Sequence, residues 1–397
     1  MRLLKKIYTY ILIFTILYME FGYYIVVSNA LSGFLRNIIM LITIFPSLLF
    51  LKKVDKNILC LFISLSVFVF FNILRDSTYE NYILLLIPIF IAFILTLTYD
   101  FKEIIFYFNN LMTFLAIFSL ATYFVSIMFP QVIKILPMIG FVYDSRVEMH
   151  NAFFSVCTLN PTYFRNYGFT WEPGAYSILL CVALFITLFM QKLNKKRVLI
   201  FICTIFTTFS TTGYFCLAII LIVAILRKNI SLTKYKKFIF IIIFTLVLMT
   251  IFVPKSLLDV TFSKLDGLFS NGESVAYTTE SRLNAIKYPF KAFISSPIIG
   301  VGYNNFAYLN KYICDGLAVN TIINWFACLG LIFGIPCLIN YFNCVRRVSK
   351  QIELAIFPTL LVLIFSVLLI STESLLRISF VYVIVFYGCK KNINYEI

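Results

Sequence analysis

Runs of about twenty apolar residues recur along this chain, each closed by a short polar or basic cluster. That alternation limits the possible folds more than any other feature. A helix of that length crosses the roughly 30 Å hydrocarbon layer of a bilayer. Within lipid every backbone N–H and C=O must be bonded inside the protein, so each run reads as a helix. Only 13% of the residues are charged and 61% are apolar, against roughly 25% charged in a soluble domain. The expectation is an all-α integral membrane protein of about twelve transmembrane helices, with 1–397 as one polytopic domain. The opening Arg2–Lys6 and the apolar run behind it mimic a signal peptide. The run continues too far, and no small-residue cleavage site stands out, so it reads as a retained first span.

Spans are placed at about 7–28, 34–51, 57–74, 82–99, 104–128 and 174–190, then at 238–253, 319–341 and 352–370, with a short last one ending near Cys389. The segment 198–226 is apolar with basic clusters on both sides. Two crossings would give helices of roughly 18–20 Å each at 1.5 Å per residue. They would meet at Ser210-Thr211-Thr212-Gly213, with broken backbone that only protein or a water-filled cavity can surround. The alternative is one long tilted span, which would invert everything downstream. The paired arrangement leaves two large external loops, 129–171 and 254–318, and puts both termini inside. On it, most of the 33 Lys and Arg fall on the inside, while basic and acidic residues nearly balance outside.

The net charge of +16 is therefore a membrane signature rather than a nucleic-acid one. No basic stripe interleaved with stacking aromatics occurs in a soluble segment. The 45 Phe and 25 Tyr suit lipid-facing and interfacial positions. Ten cysteines without a CxxC pair, and His150 as the one histidine, argue against a metal centre. Cys157 and Cys314 face outward on this topology, either joined by a disulfide or as two thiols. No internal repeat is visible, which weighs against a transporter built from duplicated halves.

Two external segments concentrate chemistry. The first ends Arg165-Asn166-Tyr167-Gly168-Phe169-Thr170-Trp171-Glu172-Pro173-Gly174. Pro173 suits a first helical turn and Glu172 its positive end. A guanidinium beside a carboxylate could bind an anion and accept a proton; a helix cap with interfacial aromatics is the plain alternative. The second holds Glu280-Ser281-Arg282 and Ser295-Ser296-Pro297-Ile298-Ile299-Gly300-Val301-Gly302-Tyr303-Asn304-Asn305-Phe306. Stripes at Leu283, Ile286, Phe290 and Phe293, and at Leu258, Phe262, Leu265 and Phe269, read as packing faces of surface helices. Gly300-Val301-Gly302 permits close backbone approach. Arg377 and Glu373 lie on the last outside turn. Arg36 and Arg75 read as interfacial anchors within reach of a lipid phosphate. Glu20, inside the first span, must face protein.

The order Arg-x-x-Gly-x-x-x-Glu-Pro before a span, Ser-Thr-Thr-Gly between two short helices, Ser-Arg, and then Ser-Pro-Ile-Ile-Gly-Val-Gly-Tyr-Asn-Asn-Phe resembles the O-antigen polymerase (Wzy) and ligase superfamily of membrane glycosyltransferases. The resemblance covers about Arg165 to Gly334. It implies a multi-pass protein of the bacterial inner membrane that uses undecaprenyl-pyrophosphate-linked glycans as donor and acceptor, with no cofactor and no metal. A chain-length regulator is a further partner it allows, and nucleic acid is not one. Ligases of the superfamily usually carry His before Asn where this chain has Val319-Asn320, which favours a polymerase over a ligase; a lipid-linked oligosaccharide flippase is the remaining alternative. On this resemblance Arg165 and Arg282 grip the pyrophosphate and Glu172 accepts the acceptor's proton. Tyr167, Gly168, Trp171, Tyr303, Asn320 and Arg377 are expected to line the substrate site.

Overall fold

The computed structural model describes residues 2–23, 32–52, 54–77, 79–142, 147–159, 165–227, 273–314, 320–372 and 374–390, leaving aside the side chains of 2, 140–142, 147 and 273–282. The span expected at 238–253, the stripe from Leu258 to Phe269, the Arg282 side chain, Val319 and Glu373 lie outside the described residues.

The helices, in chain order, are α1 (Arg2–Phe21), α2 (Gly33–Ile44, continued by a 3-10 turn Phe45–Phe50), α3 (Lys56–Asp76), α4 (Glu80–Thr98), α5 (Phe101–Met128), α6 (Pro130–Lys134), α7 (Pro173–Phe189), α8 (Lys195–Thr207), α9 (Thr211–Leu226), α10 (Glu273–Ser295), α11 (Tyr303–Tyr312), α12 (Thr321–Gln351), α13 (Ile356–Ser371) and α14 (Ser379–Cys389). Among the described residues, five segments are long and apolar enough to cross a membrane: Gly33–Phe50, Lys56–Asp76, Glu80–Thr98, Phe101–Met128 and Thr321–Gln351. Shorter apolar helices α7, α9, α13 and α14 fill the spaces between them. On α3, Ile63, Val67, Phe70, Phe71 and Leu74 are all exposed, while Leu61, Leu65, Phe68 and Val69 are buried. An apolar outer face is what a lipid solvent selects, and these features together define a multi-pass membrane protein.

Helix α14 is packed between α4 and α12. Val381, Tyr382, Val383, Val385, Phe386 and Tyr387 are all buried, so this helix is apolar on every side, as a fully enclosed one must be. Its first residue, Ser379, donates through both N and Oγ to Glu20 Oε1, the backbone bond measuring 2.8 Å. The acid buried in α1 thus caps another helix at its positive end.

The segment 198–226 forms two helices that break at Thr208–Ser210, with Phe209 at φ 47°. Ser210 accepts from Gly213 N at 3.2 Å and from Ser177 Oγ at 3.1 Å, near the start of α7. At the far end of α9, the Arg227 guanidinium lies 5.9 Å from the Phe189 ring, at the end of α7. The chain therefore reverses at Ser210, and α8 and α9 form the paired arrangement rather than one tilted span.

One expectation needs correction. The stretch 129–171, expected as a mostly polar loop, contains a three-stranded antiparallel sheet, β1 (Met138–Val142), β2 (Val147–Asn151) and β3 (Val156–Thr158), so the chain is not all-α. Glu148 is exposed, while Met149 packs with Tyr23, Val156 and Tyr167. The Cys157 thiol is directed at the Thr122 carbonyl, 3.9 Å away, and that of Cys314 at the Asn284 carbonyl, 3.8 Å away. Burial pushes the Cys157 thiol up to about 11. His150 sits in β2 with Nδ1 3.0 Å from the Leu136 carbonyl.

Candidate functional site

The site is built around a break in α12. Gly330 adopts φ 65°, ψ −168°, and the helix ladder is interrupted there. The Ser-Pro-Ile-Ile-Gly-Val-Gly segment fills the gap. Val301 N donates to Ala327 O at 2.9 Å and Gly302 N to Cys328 O at 3.0 Å, closing the first half. Leu331 N donates to Pro297 O at 2.8 Å and Ile332 N to Ile298 O at 3.3 Å, opening the second. Orphaned backbone groups in an apolar interior each cost a lost hydrogen bond, so the loop makes the break tolerable. Backbone lies on backbone here. A Cβ at Gly300 would overlap the Cys328 carbonyl, and one at Gly330 the Ile298 carbonyl. Both glycines have positive φ, which glycine alone adopts without cost.

The loop delivers Gly302 and Tyr303 to a cluster of charged groups. A side chain at Gly302 would strike the Asp76 carboxylate and the Arg75 guanidinium. Arg75 donates through Nε to Asp76 Oδ1 at 2.7 Å and through Nη1 to Gly300 O at 3.1 Å. Tyr82 OH donates to Asp76 Oδ2 and accepts from Tyr303 N at 2.8 Å. Arg377 lies 4.6 Å above the Tyr303 ring and donates to Asn81 Oδ1 at 3.0 Å; Asn81 donates in turn to Asn304 Oδ1 at 2.6 Å. Arg36, on α2, is in electrostatic reach of both Arg377 and Glu20. Burial pushes the Tyr303 hydroxyl up to about 12, and Arg377 opposes that rise, so the phenol stays neutral in ordinary buffers.

Three guanidiniums thus gather at one end of the bundle, facing two carboxylates of which Asp76 is already engaged. Among the described residues, the buried atoms Arg75 Nη2, Arg377 Nε and Glu20 Oε2 have no hydrogen-bond partner. Below them an apolar cavity of about 150 Å³ runs into the bundle, bounded by Phe21, Leu375 and Ile378 beside the cluster and by Ile105, Ile186 and Tyr341 deeper in. The arrangement offers planar donors to an oxyanion and a hydrocarbon slot beneath it.

The residues singled out in the sequence divide into two sets. Tyr303 and Arg377 are in the cluster. Trp171 approaches it, stacked on Phe21 at 5.3 Å, next to Glu20. Arg165 is elsewhere: Nε and Nη2 donate to Thr208 O and Phe209 O at 3.0 Å each, pinning the α8–α9 turn. Asn166 reinforces that turn through Thr207, and Gly168 N bonds Asn166 Oδ1 at 2.9 Å. Gly168 has φ 53° and abuts the Tyr176 ring, and Tyr167 is buried against Tyr23 and Met149. Glu172 is the exposed N-cap residue of α7, and Asn320 caps α12 by accepting from Ile323 N at 3.1 Å. Arg75 read as an interfacial anchor within reach of a lipid phosphate, but its place in this cluster, with Asp76 and Tyr82, was not legible, because Arg75 and Tyr82 reach Gly300 and Tyr303, more than two hundred positions along.

Comparison with known families gives a match over part of the chain. Residues 197–341, which include the α8–α9 pair, the glycine loop and the break in α12, match the model of the O-antigen ligase family, Wzy_C. The match supports the O-antigen ligase and polymerase superfamily, and with it a membrane glycosyltransferase-like enzyme. No curated protein matches the chain.

Proposed function

We propose that the protein is a polysaccharide polymerase that joins undecaprenyl-pyrophosphate-linked repeat units on the outer face of the bacterial inner membrane. The observation that carries this reading is the convergence of Arg36, Arg75 and Arg377 above an apolar cavity. A hydroxyl oxygen of the acceptor sugar attacks the anomeric carbon of the donor glycan. The bond from that carbon to the pyrophosphate oxygen breaks, and its electron pair leaves on the undecaprenyl pyrophosphate. Charge grows on that leaving group, so fixed donors stabilise the transition state more than the ground state. Arg75 Nη2 and Arg377 Nε supply unspent donors. Glu172, exposed at the α7 N-cap, is the candidate to take the hydroxyl proton. Trp171 and Tyr303 offer ring faces to sugars. Arg282 remains a proposed contact to the same anion, and Arg165 acts in this reading by fixing the α8–α9 turn.

Ligation of a finished glycan to another acceptor is the second reading, favoured by the description of the matching family; Val319 before Asn320 favours the polymerase. The deciding experiment is a gene deletion with the surface glycan run on a gel, complemented by wild type and by Arg75→Lys. Capped single repeats in the deletion, restored to a ladder only by wild type, support the polymerase. Loss of all attachment to the lipid A core would support ligation, and a normal ladder from Arg75→Lys would remove the arginine cluster from the reaction.

A further inference from the structure

The end of the bundle away from the arginine group holds a cavity of about 890 Å³ that the proposed transfer does not use. The turn Met190–Arg197 between α7 and α8 forms one wall, the first turns of α5 another, and the end of α12 the third. Five of its lining side chains are cations, Lys102, Lys192, Lys195, Lys196 and Arg197, and no Asp or Glu lines it. Nearby cations are used differently. Lys52 lies 2.5 Å from Asp100, and Lys5 3.8 Å from Glu103. Among the described residues none of the five cavity cations has an ion-pair partner. Like charges crowded without a counter-ion repel one another, and a bound anion relieves that. Gln191 supplies a neutral donor: its Oε1 accepts from Asn109 Nδ2 at 2.8 Å, and its buried Nε2 is unbonded among the described residues. The cavity is apolar below the charges, where Ile105, Met190 and Ile352 line it.

Cations above an apolar floor match an amphiphile rather than a free anion, which would leave the floor wet. Basic pockets between transmembrane helices are suited to anionic headgroups. The geometry points to a binding site for an anionic phospholipid, with its phosphates among Lys102, Lys192, Lys195, Lys196 and Arg197 and its upper acyl carbons on Ile105, Met190 and Ile352. Such a lipid ties the α7–α8 turn to α5 and α12.

The test uses the full chain purified in an uncharged detergent. It is titrated with cardiolipin, with phosphatidylcholine and with inorganic phosphate, and retained lipid is read by native mass spectrometry. Wild type retains cardiolipin and not phosphatidylcholine. The triple variant Lys192→Gln/Lys195→Gln/Lys196→Gln binds it on the order of a hundredfold more weakly, given roughly fivefold per charge. Lys287→Gln/Lys291→Gln, on α10, leaves retention unchanged. A lipid-free thermal melt checks that the triple variant is folded; if it is not, Lys102→Gln on the opposite wall gives about a fivefold loss instead. Equal retention by wild type and the cavity variants, equal retention of phosphatidylcholine, or an equal loss in the α10 variant overturns the site. Displacement of cardiolipin by millimolar inorganic phosphate overturns the lipid and leaves a free-anion site.

Discussion

Both ends of the helical bundle gather positive charge, and they hold it in different ways. At one end Arg75 and Arg377 are oriented by hydrogen bonds to Asp76, Gly300 and Asn81 and by the Tyr303 ring. At the other, Lys192, Lys195 and Lys196 are exposed and without ion-pair partners among the described residues. The difference follows from the side chains. A guanidinium is a planar fork that can spend some donors on the protein and aim the rest, whereas an ammonium is a mobile point charge. The first suits a defined leaving group whose charge changes during a reaction. The second suits a static, chemically tolerant anion. The contrast teaches that net charge alone does not separate a site from a surface; the fixed geometry around the charge does.

The comparison breaks most readily at Arg75. Arg75→Ala should lower the rate of chain extension by about two to three orders of magnitude, as for loss of one preorganised oxyanion donor. Arg75→Lys should recover little, because Lys cannot reach Asp76, Gly300 O and a ligand together. The readout is polymer length from purified protein and lipid-linked repeat, with membrane abundance checked alongside. Full activity in Arg75→Lys would mean that the two ends differ only in side-chain type.

Gly300→Ala tests whether the arginine end depends on its loop. A Cβ there meets backbone of Cys328 at positive φ, which should destabilise the protein by about 2–4 kcal/mol, combining left-handed strain with overpacking. A detergent thermal melt that moves by less than the scatter between preparations would show that the break in α12 can relax.

Arg165→Lys sharpens the comparison from outside both ends. It removes one of two hydrogen bonds to the α8–α9 turn, worth about 1.5–3 kcal/mol for a charged donor. The melt should shift downward while the KM for the lipid-linked donor stays near wild type. A raised KM with an unchanged melt would return Arg165 to the pyrophosphate.

The smallest expected effect is ionic. Raising salt from about 0.05 M to about 0.5 M shortens the screening length several-fold. Cardiolipin retention at the exposed lysines should fall accordingly, while donor KM at the partly buried arginines changes less. Equal sensitivity at the two ends would erase the distinction between them.

Much of the membrane-spanning framework was legible in the sequence because lipid leaves so few solutions. Long apolar runs must be helices, and basic clusters mark where they stop, so α2, α3, α4, α5 and α7 start and end within a few residues of expectation. The α8–α9 reversal was also legible, since Ser210 and Gly213 supply a cap and a close-packed residue between two short apolar halves. The small sheet was not: its strands are short, and Glu148 and His150 interrupt their apolar character.

What the sequence determined by itself is that this chain lives in a bilayer, where several of its helices begin and end, and which glycines carry the loop before Tyr303. Only the tertiary structure decided which charges meet. Glu20 reaches Ser379 across the chain, Arg75 reaches Gly300, and Arg377 reaches Asn81. Local composition reports the solvent around each residue and is therefore readable along the chain. A site of oriented guanidiniums is a matter of long-range register between helices, and that is fixed by packing rather than by spacing.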